Sequence, residues 1–207
     1  CVGHFDGKYF IALSTGKPAT HEDFVPGIPF GHYYASTTFS NIPESDGRRI
    51  QIAWMKNVFN DSTIFSDMPF NSQMSLPMEL TLHSMPDGPK LFLNPVKEVE
   101  RMRSRPVVRI KGRPLGTDDL LEKLDSPQSD ICLEAQVSGE THINLNAKGL
   151  CIEWSDGELV VDGQHAALEP VDGKISLRVI SDTRSVEIVG NGGEVYIPLL
   201  YPFTERT

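Results

Sequence analysis

The strongest constraint on the fold is a chain-long succession of short segments in which apolar and polar residues alternate. Such segments are half-buried strands, because successive side chains of a strand point to opposite faces. Turn residues separate them, as in Ser155-Asp156-Gly157 and Asn191-Gly192-Gly193. The pattern predicts an all-β protein. Strands are expected near 2–5, 8–13, 33–40, 49–56, 73–83, 90–93, 106–111, 131–138, 142–147, 150–155, 158–161, 174–180 and 185–189, with a final strand or tail over 199–204.

The strand pattern is interrupted just after Pro95, where a short helical linker can begin. Before it, four strands in succession over 33–93 have the length and spacing of one β-propeller blade. A complete propeller needs roughly 200 residues or more, so the first part of the chain can form only part of one. The seven or so later strands are typical of a β-sandwich. We therefore predict three parts: residues 1–95, 96–105 and 106–207.

Composition and charge exclude several classes of function. The 207 residues are 39% hydrophobic, enough for packed cores, and carry a formal net charge of -9. This charge argues against nucleic-acid binding, because neutralising phosphates needs clustered Lys and Arg. The densest basic stretch, from Arg101 to Arg113, is interrupted by apolar residues and is expected to be a solvated edge strand and linker. No apolar run approaches the roughly 18 residues of a membrane span, and residues 1–20 lack the features of a signal peptide.

The cysteines and histidines predict neither a metal centre nor a cofactor. Cys1, Cys132 and Cys151 form no Cys-x-x-Cys pair, and the six His residues include no i, i+4 pair. Cys132 and Cys151 lie in apolar strand-like runs and are expected to be buried free thiols, although they can form a disulfide if their strands face each other. Cys1 can also be interpreted as a lipidated N-terminus, but its position at the head of a predicted strand argues against that.

Several stretches together carry a family resemblance. They are Gly-His-Phe-Asp-Gly-Lys-Tyr-Phe at 3–10, Tyr-Tyr-Ala-Ser-Thr-Thr-Phe at 33–39, Asp-Gly-Arg-Arg-Ile-Gln-Ile-Ala-Trp-Met at 46–55, Ser-Leu-Pro-Met-Glu-Leu-Thr-Leu at 75–82 and Leu-Arg-Val-Ile-Ser-Asp-Thr-Arg-Ser-Val-Glu-Ile at 177–188. In this order they resemble the last part of the catalytic propeller, and then the C-terminal sandwich, of glycoside hydrolase family 32, the β-fructosidases (invertases, levanases, inulinases). The resemblance implies the last part of a five-bladed β-propeller followed by a β-sandwich. It also implies a parent enzyme that hydrolyses fructans or sucrose. Such an enzyme is compatible with a secreted or periplasmic location.

The resemblance assigns no catalytic residue to this chain. Family members are retaining glycosidases, which need two carboxyl groups about 5 to 5.5 Å apart. In the family these groups come from Asn-Asp-Pro-Asn, Arg-Asp-Pro and Glu-Cys-Pro motifs in earlier blades, and none of the three motifs occurs here. Glu169-Pro170 cannot replace the Glu-Cys-Pro motif, because it lies in the sandwich half and has no Cys between its two residues. Glu98 and Glu100 are expected to be solvated. The isolated chain is therefore predicted to be inactive, and catalysis to require a full-length parent with the missing N-terminal propeller blades.

Three residues are expected at a sugar-binding rim. The family places an aromatic residue at the position of Trp54, whose flat face can pack against a fructosyl ring; alternatively, Trp54 packs between blades. Many members have a Gly-x-Asp-Phe-Tyr-Ala pattern whose acidic residue binds sugar hydroxyls, and here the stretch at 31–35 is Gly-His-Tyr-Tyr-Ala. His32 or Tyr33 can donate hydrogen bonds in place of that acid, or serve as core or turn residues.

Two other classes of function stay open from the residues alone. One is a non-catalytic carbohydrate-binding module that uses Trp54, Trp154 and the Tyr33-Tyr34 pair as stacking platforms. The other is a structural role, in which the sandwich braces a propeller or mediates dimerisation, because an open propeller fragment exposes a blade edge and an apolar face. The first predicts a saturable change in tryptophan fluorescence with fructo-oligosaccharides. The second predicts a homo-oligomer in light scattering.

Overall fold

A computed structural model describes residues 1–20, 32–56, 65–103, 106, 108–112, 114, 126, 128–147 and 149–201. The all-β prediction is confirmed. The strands are β1 (Gly3–Phe5), β2 (Phe10–Ala12), β3 (Tyr34–Thr38), β4 (Arg49–Met55), β5 (Gln73–Met74), β6 (Met78–Met85), β7 (Gly88–Pro95), β8 (Ser129–Gln136), β9 (His142–Ala147), β10 (Leu150–Ser155), β11 (Glu158–Val161), β12 (Gln164–Ala167), β13 (Lys174–Ser181), β14 (Ser185–Gly190) and β15 (Val195–Leu200). Among the described residues, two short 3-10 helices cover Lys97–Met102 and Asn191–Gly193. In the described ranges, no helix has the length and apolar character needed to cross a membrane.

The first part of the chain forms one antiparallel blade. Its strands lie in the order β3-β4-β6-β7, and β5 also pairs with β4. The single strand expected over 73–83 is in fact β5 and β6, because Ser75-Leu76-Pro77 leaves the ladder between them. Pro77 has no N–H to donate there. Strands β1 and β2 form a separate hairpin ahead of the blade.

The second part is a sandwich of two four-stranded sheets, β12-β11-β10-β9 and β15-β14-β13-β8. Its core is filled from both sheets by residues that recur with a period of two, as in β13, where every second residue is buried. Strands β14 and β15 are buried at every position. A strand buried on both faces needs a second covering layer, and the blade provides it.

The interface between blade and sandwich is formed by alternate residues of β14 and β15. Val186 and Ile188 point into the sandwich core, whereas Val189 and Tyr196 pack against blade residues such as Met78. The apolar contact buries side chains of both parts, so the blade and the sandwich stabilise each other.

The structure departs from the expected strands at three places. Residues 106, 108–112 and 114 are described and none of them lies in a strand, although one was expected over 106–111. Pro106 and Pro114 cannot donate to a ladder, and the neighbouring positions are exposed. Strand β12 was missed because its Gln-His-Ala-Ala sequence has little β-branched or aromatic character. The last strand of the described residues is β15, which begins before the final strand or tail expected over 199–204; residues 202–204 lie outside the described residues.

The expected burial of the cysteines is also wrong. Cys132 and Cys151 are free and exposed, as is Cys1. The period of two explains this, since Leu150 and Ile152 point into the core and Cys151 between them must point outward. Cys132 is on the outward face of the opposite sheet, so the two thiols do not meet.

Glu98 and Glu100 are not simply solvated, as the sequence suggested. Glu98 accepts two hydrogen bonds from the Arg48 guanidinium of the blade, at 2.9 and 3.0 Å. Glu100 pairs with Arg103 at 2.6 Å and with Arg178 of the sandwich at 2.9 Å. The 3-10 helix that carries both glutamates is therefore held to the blade on one side and to the sandwich on the other.

Replacing Gly193 by alanine is expected to destabilise the protein by about 2 kcal/mol. Gly193 has φ +109°, and a Cβ there would lie 2.8 Å from the Leu93 carbonyl oxygen and 2.5 Å from Asn94 Nδ2 of the blade. The positive φ would strain the alanine backbone, and the clash would push the Asn191–Gly193 turn away from β7. The measurement is the free energy of unfolding in urea. Gly192→Ala is the matched control, because Gly192 also has a positive φ, +65°, but nothing within 4 Å of an added Cβ. Equal losses in the two variants would contradict a role for the close approach.

Candidate functional site

An exposed cluster of aromatic and apolar side chains lies near the end of β4. Trp54 is 38% exposed and is paired across the sheet with Tyr34 on one side and Met74 on the other, both exposed. The Tyr34 and Trp54 rings meet edge to face, with centroids 6.1 Å apart. Lys56 Nζ lies 4.9 Å from the Tyr34 centroid and 5.6 Å from that of Trp54. We call Tyr34, Trp54, Lys56 and Met74 the Trp54 face.

A β-bulge brings Tyr34 onto this face. The register of β3 against β4 shifts between Tyr34 and Thr37, and Ala35 within the shift has φ +48°. One extra residue on β3 reverses which side chains point to which side. Tyr34 therefore shares a side with Trp54, while its neighbour Tyr33 points to the opposite side and packs on the sandwich.

Tyr33 and His32 lie at the interface between blade and sandwich. The Tyr33 ring packs edge to face on Tyr196 at 5.5 Å, and its hydroxyl donates to Gln51 Oε1 at 3.1 Å. His32 is 5% exposed, and its Nδ1 accepts the Leu200 N–H at 3.0 Å. Burial lowers the pKa of His32 and raises that of Tyr33. The structure thus separates these two residues from the Trp54 face, and their role as sugar ligands stays a prediction.

Sequence reasoning missed one buried acidic group, Glu187 of β14. It is 4% exposed, and its Oε1 accepts the Leu76 N–H at 2.8 Å. The Tyr196 hydroxyl donates to its Oε2. Burial raises the pKa of Glu187 to about 7. Alternation along β14 places Glu187 on the side away from the sandwich core, where a carboxyl is expected in water, and only docking of the blade buries it.

Trp154 is not available as a stacking platform, which corrects one of the sequence hypotheses. It is 2% exposed in the sandwich core, and its Nε1–H donates to the Leu168 carbonyl oxygen at 2.9 Å. Of the aromatic residues in that hypothesis, Tyr34 and Trp54 of the blade have exposed rings.

The architecture described above is that of a propeller blade followed by a β-sandwich. The model of the glycosyl hydrolases family 32 N-terminal domain matches residues 2–95, and that of the family 32 C-terminal domain matches residues 115–203. The chain therefore belongs to glycoside hydrolase family 32, and the resemblance seen in the sequence is confirmed.

Curated relatives match along most of the chain. It is 28% identical to a levanase of Bacillus subtilis (strain 168) over 234 residues, covering 95% of this chain and 32% of the levanase. It is also 28% identical to a cell wall isozyme of β-fructofuranosidase from Pisum sativum over 184 residues, covering 84% of this chain and 30% of that protein. The chain thus spans about a third of the length of these relatives.

Solved structures show the same fold. An exo-inulinase from Aspergillus awamori superposes with a TM-score of 0.69 at 16% identity, covering 98% of this chain and 44% of that chain. A sucrose-6-phosphate hydrolase from Lactobacillus gasseri gives a TM-score of 0.62 at 16% identity, covering 86% and 38%. The partial propeller followed by a β-sandwich that the sequence predicted is confirmed.

Proposed function

We propose that this chain is the C-terminal part of a retaining β-fructosidase that hydrolyses fructans or sucrose. The observation that carries the proposal is the ordered match of both family 32 domains along the chain. The names of the relatives, levanase and β-fructofuranosidase, support the same class of substrate. The division into residues 1–95, 96–105 and 106–207 is proposed as the boundary of blade, linker and sandwich.

The chain's own contribution is sugar binding rather than bond cleavage. The nucleophile and the acid/base of a retaining glycosidase are carboxyl groups held on opposite sides of the scissile bond. The family motifs that supply them are absent from the 207 residues, so the remaining blades must provide both. The exposed rings of Tyr34 and Trp54 offer an apolar surface for a sugar ring, and the Lys56 ammonium can donate to its hydroxyls.

The direct test is fructose release from levan, inulin and sucrose by the purified 207-residue protein. We expect none above the rate of a buffer blank. Release that co-purifies with the chain and scales with its concentration would overturn the assignment of the catalytic groups to other blades. The intact mass, measured on the same sample, shows whether the protein assayed is the chain of 23.0 kDa.

A second candidate function, a non-catalytic carbohydrate-binding module, is favoured by the exposure of Tyr34 and Trp54. Both functions predict that Trp54→Ala weakens binding of fructo-oligosaccharides by roughly tenfold, because stacking on the ring is lost. The measurement is an isothermal calorimetric titration of the chain with a fructo-oligosaccharide. Leu82→Ala is the control, since Leu82 is an exposed apolar residue on the β6–β7 hairpin. No saturable binding by the wild-type chain up to millimolar sugar would exclude the module.

The β1–β2 hairpin carries exposed apolar side chains that are suited to contact with the rest of the propeller. Phe5, Tyr9, Phe10 and Leu13 are all exposed there, and large exposed apolar groups are typical of interaction surfaces. We propose that these side chains pack on the remaining blades, and that the isolated chain associates through them into a homo-oligomer. Light scattering tests this proposal: a monomer at every concentration would contradict self-association.

A further inference from the structure

The connection between β5 and β6 links the Trp54 face to the sandwich. On the blade side, the Ser75 N–H donates to the Ala53 carbonyl oxygen at 2.9 Å, and the Ala53 N–H donates to Ser75 Oγ at 3.1 Å. Ala53 is the residue before Trp54, and Met74 is the cross-strand partner of Trp54. A displacement of residues 73–76 would therefore move the backbone on which Trp54 stands.

On the sandwich side, the same connection is held by two buried residues of β14. Glu187 Oε1 accepts the Leu76 N–H at 2.8 Å, and the Gln73 amide donates to Ser185 Oγ at 2.5 Å. Ser185 and Glu187 are each 4% exposed. Both contacts join groups more than 110 residues apart in the sequence, so they exist only when the blade and the sandwich are docked.

We propose that Glu187 is a positioning residue for the Trp54 face: the sandwich carboxyl holds residues 73–76 against β4 and thereby sets the presentation of Trp54 to a sugar. The proposal rests on the proposed sugar-binding role of that face. It gives the sandwich a specific part in substrate binding, beyond general support of the blade.

The chemistry of the contact explains why a carboxyl group is suited to this position. Without an acceptor the Leu76 N–H would lose its hydrogen bond at a partly buried position, which costs free energy. Glu187 supplies this acceptor while its other oxygen binds the Tyr196 hydroxyl. A Gln side chain has the same reach and the same acceptor, so Glu187→Gln keeps the contact, whereas Glu187→Leu keeps the volume and removes the acceptor.

Protonation of Glu187 gives a further readout. The titratable groups that influence it are Tyr196, Tyr33 and Asp182, and His32 lies on the same interface. Among the described residues, no Lys, Arg or His forms an ion pair with Glu187. A carboxylate formed there has no cation beside it, so its ionisation costs desolvation energy, while the hydrogen bonds that it accepts from the Leu76 N–H and the Tyr196 hydroxyl become stronger. This change in the contact should be transmitted to Trp54.

The experiment uses the full chain labelled with 5-fluorotryptophan, whose two resonances are assigned with Trp54→Phe. In Glu187→Leu we expect the Trp54 resonance to shift and the Leu76 amide to exchange roughly tenfold faster. In Glu187→Gln, the Trp54 resonance and the exchange rate of the Leu76 amide should both stay close to their wild-type values. Glu194→Gln is the matched control, because Glu194 also crosses the interface, to Lys90 at 3.4 Å, but does not touch residues 73–76. An unchanged Trp54 resonance in Glu187→Leu would overturn the proposal, as would an equal shift in Glu194→Gln.

A pH titration keeps the test decisive if Glu187→Leu does not fold. The wild-type Trp54 resonance should move between pH 5 and pH 8, and the Glu187→Gln resonance should not; the same movement in both proteins would contradict the proposal. None of these readouts requires sugar. Titration of the wild type with 1-kestose is a separate arm: failure to bind would remove the sugar-binding role of the face and leave the coupling between Glu187 and Trp54 to be judged by the resonances alone.

Discussion

Replacing Trp154 by alanine is expected to lower the free energy of unfolding by about 3–5 kcal/mol, a large part of the stability of about 5–15 kcal/mol of an ordinary domain. Trp154 is 2% exposed in the centre of the sandwich core. Its removal leaves a large cavity among residues such as Leu159 and Leu168, and it also leaves the Leu168 carbonyl oxygen without the indole N–H. The measurement is urea unfolding followed by far-UV circular dichroism.

Two variants separate the causes of this loss. Trp154→Phe keeps much of the ring packing but removes the donor, so it should cost clearly less than the alanine variant. Trp54→Ala, on the exposed blade face, should change stability by less than about 1 kcal/mol. The two tryptophans would thus divide the roles of stability and sugar binding. Similar losses in Trp54→Ala and Trp154→Ala would contradict the difference in burial between them.

The second large effect is a loss of stability as the pH rises, caused by Glu187. Burial raises its pKa from 4.5 to about 7 in the folded protein. Between these two values the folded state binds more protons than the unfolded state, so the free energy of unfolding falls as the pH rises. The contribution is fully present below about pH 4.5 and is lost as the pH passes about 7. A change of this size corresponds to about 3 kcal/mol. Urea unfolding at a series of pH values between 4.5 and 8 measures it.

Glu187→Gln isolates this effect from the other titrating groups. Its stability relative to wild type should increase steadily over the same pH range, because glutamine does not ionise. His32 acts in the opposite direction, since burial lowers its pKa and its stabilising contribution is lost as the pH falls below 6.5. That contribution is common to both proteins and cancels in the comparison. Parallel pH profiles for wild type and Glu187→Gln would contradict the raised pKa of Glu187.

Much of the fold could be predicted because its signals are local. The strands expected over 142–147, 150–155 and 158–161 have the bounds of β9, β10 and β11. Each is an alternating segment that ends at a turn containing Gly, and a hairpin needs no information beyond its own residues. The family assignment was also reachable, because the motifs that carry it are short and contiguous.

The candidate site was only partly accessible in this way. Alternation along β4, together with the family pattern, was enough to single out Trp54. The roles of His32, Tyr33 and Glu187 depend on contacts with residues far away in the sequence, as with Glu187 and Leu76. No periodic pattern in either segment contains such a contact.

The sequence by itself determined the strand class, the order of blade and sandwich, the family and the absence of its catalytic motifs, since each of these is written in neighbouring residues. The tertiary structure decided which outward faces meet water. Cys132 and Cys151 point outward into solvent, whereas Glu187 points outward from the sandwich core into the docked blade. The alternation of apolar and polar residues predicts on which side of a strand a side chain lies. What covers that side depends on how separate sheets pack against each other.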